Sequence, residues 1–136
     1  MKSLEIRFNK RTKARLLAIN LLYRYELLGD DPFELLEKEK GEEVPKAREY
    51  LEKIFKNLNI VDELIKKNLK NWDFERVLPY EKSILRFGVG EILLYPDVPL
   101  NVIIEELLKI ADKFTDEKAV KFINGILDSI GKSLRK

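Results

Sequence analysis

The sequence predicts an all-α fold of about seven helices, arranged as two small helical bundles packed together. Three observations predict it. Apolar residues recur at the i, i+3, i+4, i+7 spacing of a helical face in every long segment. No segment alternates apolar and polar residues with period two. Clusters of Gly, Pro, Asn and Asp cut the periodic segments into helix-sized pieces. No internal repeat and no low-complexity stretch interrupts the pattern. The 136 residues fit a single domain, 1–136, with an N-terminal helical subdomain over about 10–71 and a C-terminal one over about 72–134.

Met1 to Asn9 has no clean period and reads as a mobile arm. The first helix runs from Lys10 to Leu28. Ala14, Leu17, Ala18, Leu21, Leu22, Tyr25 and Leu28 form its core stripe, and Leu16, Ile19, Tyr23 and Leu27 form a second apolar row that a helix packed on one side would not need. Gly29 supplies the C-cap, and Asp30-Asp31-Pro32 starts a short second helix through Phe33, Leu35 and Leu36 that ends near Gly41. Glu42 to Pro45 reads as a loop in which Pro45 pushes Val44 towards an extended conformation. A third helix, from Pro45 or Lys46, carries Ala47, Tyr50, Leu51, Ile54, Phe55 and Leu58. Asn57 to Asn59 breaks the pattern before a fourth helix with Ile60, Val61, Leu64, Ile65 and Leu69.

Asn71-Trp72-Asp73 ends that helix and places a subdomain boundary, and Phe74 to Pro79 holds a short helical turn. Tyr80 to Tyr95 is the most apolar segment, apolar over most of its circumference, and reads as the central helix of the second half. Gly88 and Gly90 each cost about 1 kcal/mol of helix propensity relative to Ala, so another backbone is expected to pass close by. Tyr95-Pro96-Asp97-Val98-Pro99 is a strong breaker. A sixth helix follows with Val102, Ile103, Leu107, Ile110, Ala111 and Phe114 facing inwards. Thr115 or Asp116 caps the last helix, whose stripe is Ala119, Ile123, Ile126, Leu127, Ile130 and Leu134, with Phe122 at its edge.

The composition excludes much chemistry. Without Cys or His there is no disulfide, thiol nucleophile, His base or ordinary zinc site. Gly88-Val89-Gly90 has neither a third glycine nor a preceding strand, so it is no dinucleotide loop. Adjacent carboxylates such as Glu105-Glu106 and Asp30-Asp31 diverge by about 100° on a helix and do not converge on a substrate. No cofactor or catalytic residue is implied. No apolar run approaches the roughly 20 residues that span a bilayer, and the first residues lack a signal-peptide core, so a cytoplasmic protein without a membrane partner is expected.

The formal charge of +2 is unevenly spread. Lys2, Arg7, Lys10, Arg11, Lys13, Arg15 and Arg24 face a single acid, Glu5, in the first stretch of chain. The adjoining segment from Asp30 to Glu49 is acidic. Lys10, Arg11, Lys13 and Arg15 sit where the positive end of a helix dipole disfavours cations unless an anion comes to them. Such a patch can be a solvated surface or a local nucleic-acid site. Phe122, beside Lys118 and Lys121, reads either as core or as a stacking platform for an unpaired base.

Several local patterns then fall in order along the chain. They are Arg11-Thr12-Lys13-Ala14-Arg15 with Leu22-Tyr23; Trp72 with Glu75-Arg76; Glu81-Lys82-Ser83-Ile84-Leu85-Arg86 with Glu91; Asp97-Val98-Pro99; and Lys121-Phe122-Ile123-Asn124-Gly125-Ile126-Leu127-Asp128. The set closely resembles the NusB family of transcription antitermination factors, from Lys10 to about Ile130. The resemblance implies a NusB-like, non-enzymatic, bacterial RNA-binding factor. It would bind the boxA element of ribosomal RNA leader transcripts as single-stranded RNA, together with a small-subunit ribosomal protein acting as NusE. With other Nus factors on RNA polymerase, the pair would suppress premature termination. Lys10, Arg11, Lys13 and Arg15, with Lys118, Lys121 and Phe122, would face RNA; Tyr23 and Glu81 would face the ribosomal protein. Arg86 and Glu91 match the pattern and read as buried ion-pairing groups.

The chain departs from the family at Glu105, where members commonly carry Asn, and at Ala119 and Val120, where polar or small residues are frequent. Two other readings compete. One is the helical module that occurs fused in front of an RNA methyltransferase, disfavoured because no methyltransferase sequence follows within the 136 residues. The other is a purely structural protein that self-associates through Leu16, Ile19, Tyr23 and Leu27.

Overall fold

A computed structural model describes residues 8–70 and 73–135. Among the described residues there are seven α-helices and one 3₁₀ turn, and no strand. The helices are α1 (Lys10–Leu28), α2 (Pro32–Leu36), α3 (Val44–Lys56), α4 (Leu58–Lys67), α5 (Pro79–Leu94), α6 (Leu100–Phe114) and α7 (Glu117–Leu134). The 3₁₀ turn spans Phe74–Arg76. Asn71 and Trp72, which carry part of the family pattern and the expected subdomain boundary, lie outside the described residues, as do residues 1–7.

Of the stretch expected to be a mobile arm, only Phe8 and Asn9 are described, and both are fixed. Phe8 packs against the core, and the Asn9 side chain accepts the Thr12 N–H at 2.7 Å, a fixed N-cap. At the other end Gly29 takes φ 75° and donates to Tyr25 O, the left-handed C-cap that glycine adopts without strain.

Helix α2 is shorter than its expected run to Gly41. Beyond Leu36 the sequence Glu37-Lys38-Glu39-Lys40 has no apolar side chain to bury, and the Lys38 and Glu39 amides close tight turns onto Leu35 and Leu36 carbonyls instead. Val44 is the first residue of α3 rather than an extended loop residue. Its amide reaches Gly41 O at 3.3 Å. The missing Pro45 N–H falls in the first turn, where no intrahelical acceptor exists, so proline is tolerated there. Asn57 separates α3 from α4, its amide side chain donating to Lys53 O. At α7 the choice of cap resolves to Asp116, which accepts the Ala119 N–H at 2.8 Å.

Helix α5 organises the molecule. Helices α1, α3, α4, α6 and α7 all pack on it. It therefore serves both halves and not the second alone. The buried side chains form one continuous cluster that includes Ala14, Leu22, Ile54, Phe87, Ile103 and Leu127. Helix α1 runs antiparallel to α5, because Arg15 meets Glu91 at one end and Glu26 meets Lys82 at the other. Helix α7 runs parallel to it, with Phe122 near Leu78 and Arg135 bonded to the Ile92 and Tyr95 carbonyls.

The close approach expected at the α5 glycines is made by side chains, not by another backbone. A Cβ at Gly88 would lie 2.7 Å from Leu127 Cδ2 and 2.8 Å from Leu107 Cδ1, and one at Gly90 would lie 2.6 Å from Ile54 Cγ1. On α1 the core stripe is buried at Ala14, Ala18, Leu21 and Leu22 and half-buried at Leu17, then runs out to an exposed Tyr25 and Leu28. The second row is not uniform: Ile19 is fully buried, Leu16 and Tyr23 are half-buried, and Leu27 is exposed.

Candidate nucleic-acid interface

The first turns of α1 present Lys10, Arg11 and Lys13 to solvent. Lys10 Nζ sits 2.7 Å from Glu42 Oε1 on the α2–α3 loop. That hydrogen bond raises the Lys10 ammonium and, with the charges of Lys10 and Lys13, holds the Glu42 carboxyl below its usual range. Both groups are exposed, so the pair is a weak clasp that an incoming phosphate can replace. Arg11 Nε donates to the hydroxyl of the buried Tyr50 at 3.1 Å, which ties its guanidinium to α3.

Arg15 does not join this surface. It is 1% exposed, and its Nε and Nη2 make a bidentate pair with Glu91 at 2.8 Å each. Its Nη1 donates to Thr12 Oγ1, which in turn donates to Glu106 Oε1 at 2.7 Å. Lys109 holds the second Glu106 oxygen at 2.8 Å. Burial works against the Arg15 charge, and the hydrogen bond and charge of Glu91 outweigh it, leaving the guanidinium pKa raised. The expected RNA contact at Arg15 is thus corrected to a structural one, a buried network that locks α1 onto α5 and α6. Arg86 and Glu91 are both ion-paired, but not with each other. Arg86 takes Asp62 in a bidentate pair at 2.9 and 3.0 Å and also Glu26 at 2.9 Å.

At the opposite end of α5, the start of α7 meets the start of α5. Glu81, Lys118 and Phe122 border one cleft of about 340 Å³, with Leu78 and Asp116. Burial, then the charge of Asp116, raises the Glu81 carboxyl. Phe122 is half-buried and also borders a second cleft with Lys121, Asn68 and Lys70. Lys121 is exposed, 4.0 Å from Glu117. The structure therefore joins Phe122 to Lys118 and Glu81, and separates this group from Lys10, Arg11 and Lys13. Glu81 and Glu91 stand ten positions apart on α5, about 15 Å along the axis.

Tyr23 belongs to a further cluster on the side of α1 facing the α5 start. Its ring meets Tyr80 edge-on at 5.2 Å, and Tyr80 meets Phe114 at 6.1 Å. Tyr80 donates its hydroxyl to Asn20 at 2.9 Å, and burial pushes that hydroxyl up to about 12. Sequence reasoning passed over Tyr80 and Phe114, which read only as helix boundaries or core, and over Tyr50, which read as core alone. The available signal was chemical: a buried tyrosine hydroxyl needs a partner.

Among the described residues no group of acids could hold a metal ion, and no helix is long and apolar enough to cross a membrane. The arrangement offers separate clusters of cations, an aromatic face and half-buried acids on a rigid helical frame, which defines a helical binding protein. The NusB family model matches residues 12–132, and the chain belongs to the NusB family. It is 39% identical over 133 residues to the transcription antitermination protein NusB of Nitratiruptor sp., covering 92% of this chain and 94% of that one. Its fold is similar to T. maritima NusB, with a TM-score of 0.84 at 31% identity over 93% of each chain. It is also similar to a chain in a crystal structure of antitermination factors NusB and NusE in complex with dsRNA. There the TM-score is 0.82 at 27% identity, over 93% of this chain and 99% of that one.

Proposed function

We propose that this chain is a cytoplasmic, non-enzymatic transcription antitermination factor. It binds single-stranded boxA-type RNA of ribosomal leader transcripts together with a small-subunit ribosomal protein acting as NusE. With other Nus factors, the assembly keeps RNA polymerase from terminating early. The observation that carries the reading is the exposed Lys10, Arg11 and Lys13 on the first turns of α1, where the helix dipole opposes positive charge and a polyanion relieves the conflict. The likeness to a chain solved with NusE and dsRNA supports the choice of partners. Tyr23 and Tyr80, with Glu81 next in sequence, form the face for the ribosomal protein. Lys118, Lys121 and Phe122 extend the RNA contact at the other end of α5, with Phe122 stacking on an unpaired base.

The test is a fluorescence-anisotropy titration of a labelled boxA-type strand across salt concentrations. The Arg11→Ala/Lys13→Ala variant is expected to bind on the order of tenfold more weakly, with a log–log salt slope shallower by about 1.4, because two phosphate contacts are lost. Unchanged affinity and slope would remove this face from the RNA site.

A further inference from the structure

The C-terminal end of α5 carries a cleft that the family pattern leaves unassigned. About 460 Å³ in volume, it is bordered by Arg11 of α1, Lys53 of α3 and the α5–α6 turn at Tyr95 to Pro99. We infer that this cleft is a phosphate subsite for the RNA strand, in which Lys53 is a direct contact and Tyr50 a positioning residue for Arg11. The inference rests on the RNA-binding reading above.

Charge and geometry support it together. Among the described residues, Tyr50 is the one hydrogen-bond partner of Arg11, which leaves both Nη groups for a second acceptor in the fork geometry that suits phosphate. The Tyr50 ring is buried against Phe87 and Tyr95, at 4.8 and 5.1 Å between centroids, so its hydroxyl is a fixed anchor. Lys53 Nζ lies 4.5 Å from the centre of the Tyr95 ring, and Lys46 Nζ lies 5.0 Å from it. With ammonium groups over the ring, Tyr95 is already engaged and does not serve as a stacking platform for a base. The cleft therefore recognises charge rather than a base face. Two carboxylates border it. Glu106 is taken up by Thr12 and Lys109, and Arg15 by Glu91. Glu49 is held by the Tyr95 hydroxyl and by Lys46, and these bonds, with the charge of the nearby Lys53, lower its carboxyl. Of the carboxylates that border the cleft itself, Arg11 and Lys53 are left with Asp97, an excess of positive charge.

The experiment titrates the full chain and its variants with a labelled boxA-type single strand at several salt concentrations. Lys53→Gln is expected to weaken binding about three- to tenfold and to reduce the log–log salt slope by about 0.7, one phosphate contact on a single strand. Lys53→Arg should restore both. Tyr50→Phe, with folding checked by circular dichroism, is expected to weaken binding about two- to fivefold, and to add nothing in an Arg11→Ala background, because the hydroxyl acts through Arg11. A Lys53→Gln variant with wild-type affinity and slope overturns the contact. A Tyr50→Phe loss that persists in the Arg11→Ala background overturns the positioning role. If the wild-type chain fails to bind the strand, the RNA-binding reading itself falls; if it binds and only these variants behave as wild type, the subsite alone falls.

Discussion

At the scale of single residues, Arg15 is the position where charge and location part company. It stands among the cations of the first helix, yet it is 1% exposed and bidentate with Glu91. The signal was partly present in the sequence. Arg15 precedes Ala18 and Ile19 by three and four positions, so it shares a helical face with residues that are both fully buried. A partner 76 positions away leaves no local trace, which is why the pairing could not be read. Lys10, Arg11 and Lys13 were legible because exposure on a helix needs only periodicity. The buried pair carries a prediction. Glu91→Ala leaves a guanidinium in the core with one hydroxyl for company and should lower stability by about 3–5 kcal/mol. In urea unfolding the Glu91→Ala midpoint should fall well below wild type, while Arg15→Met/Glu91→Leu should recover much of the loss. An unshifted midpoint for Glu91→Ala would mean that the pair contributes little.

Among the elements, the helices were legible nearly throughout, since each carries a stripe and a terminator. The misplacements have physical causes. Helix α2 ended early because charged residues after Leu36 had nothing to cover, and α3 began early because a proline in a first turn has no hydrogen bond to lose. The expected role of α5 was right in its apolar character and too narrow in its reach. Apolarity around the circumference says that a helix is surrounded, not by which neighbours. Gly88 shows how tightly. Ala there gains about 1 kcal/mol of helix propensity but places its Cβ 2.7 Å from Leu127 and 2.8 Å from Leu107, overpacking that costs about 1–3 kcal/mol. Gly88→Ala is expected to be destabilising overall. Adding Leu127→Val, which removes a methylene at the contact, should recover part of the loss in thermal unfolding. A Gly88→Ala variant more stable than wild type would show that the two leucines yield freely.

For the whole molecule, the ion pairs and the cleft contacts place the two sets of proposed RNA residues near opposite ends of α5, about 15 Å apart along its axis. The sequence put them in one list because it has no sense of distance across a bundle. One strand must then run along the surface to meet both, and contacts so far apart should act independently. Arg11→Ala and Phe122→Ala are expected to weaken binding of a boxA-type strand additively, within about 0.5 kcal/mol, measured by anisotropy. Strong non-additivity would mean that the two ends answer to one local change instead of one long ligand.

The Arg15–Glu91 pair also sets a timetable for synthesis. Helix α1 leaves the ribosome long before its counter-charge exists, and at roughly 5–20 residues per second the separation of 76 positions takes about 4–15 s to synthesise. During that interval docking α1 against the growing chain would strand an arginine in an apolar interior. Full docking of α1 is thus least costly once α5 has emerged and Glu91 can meet Arg15.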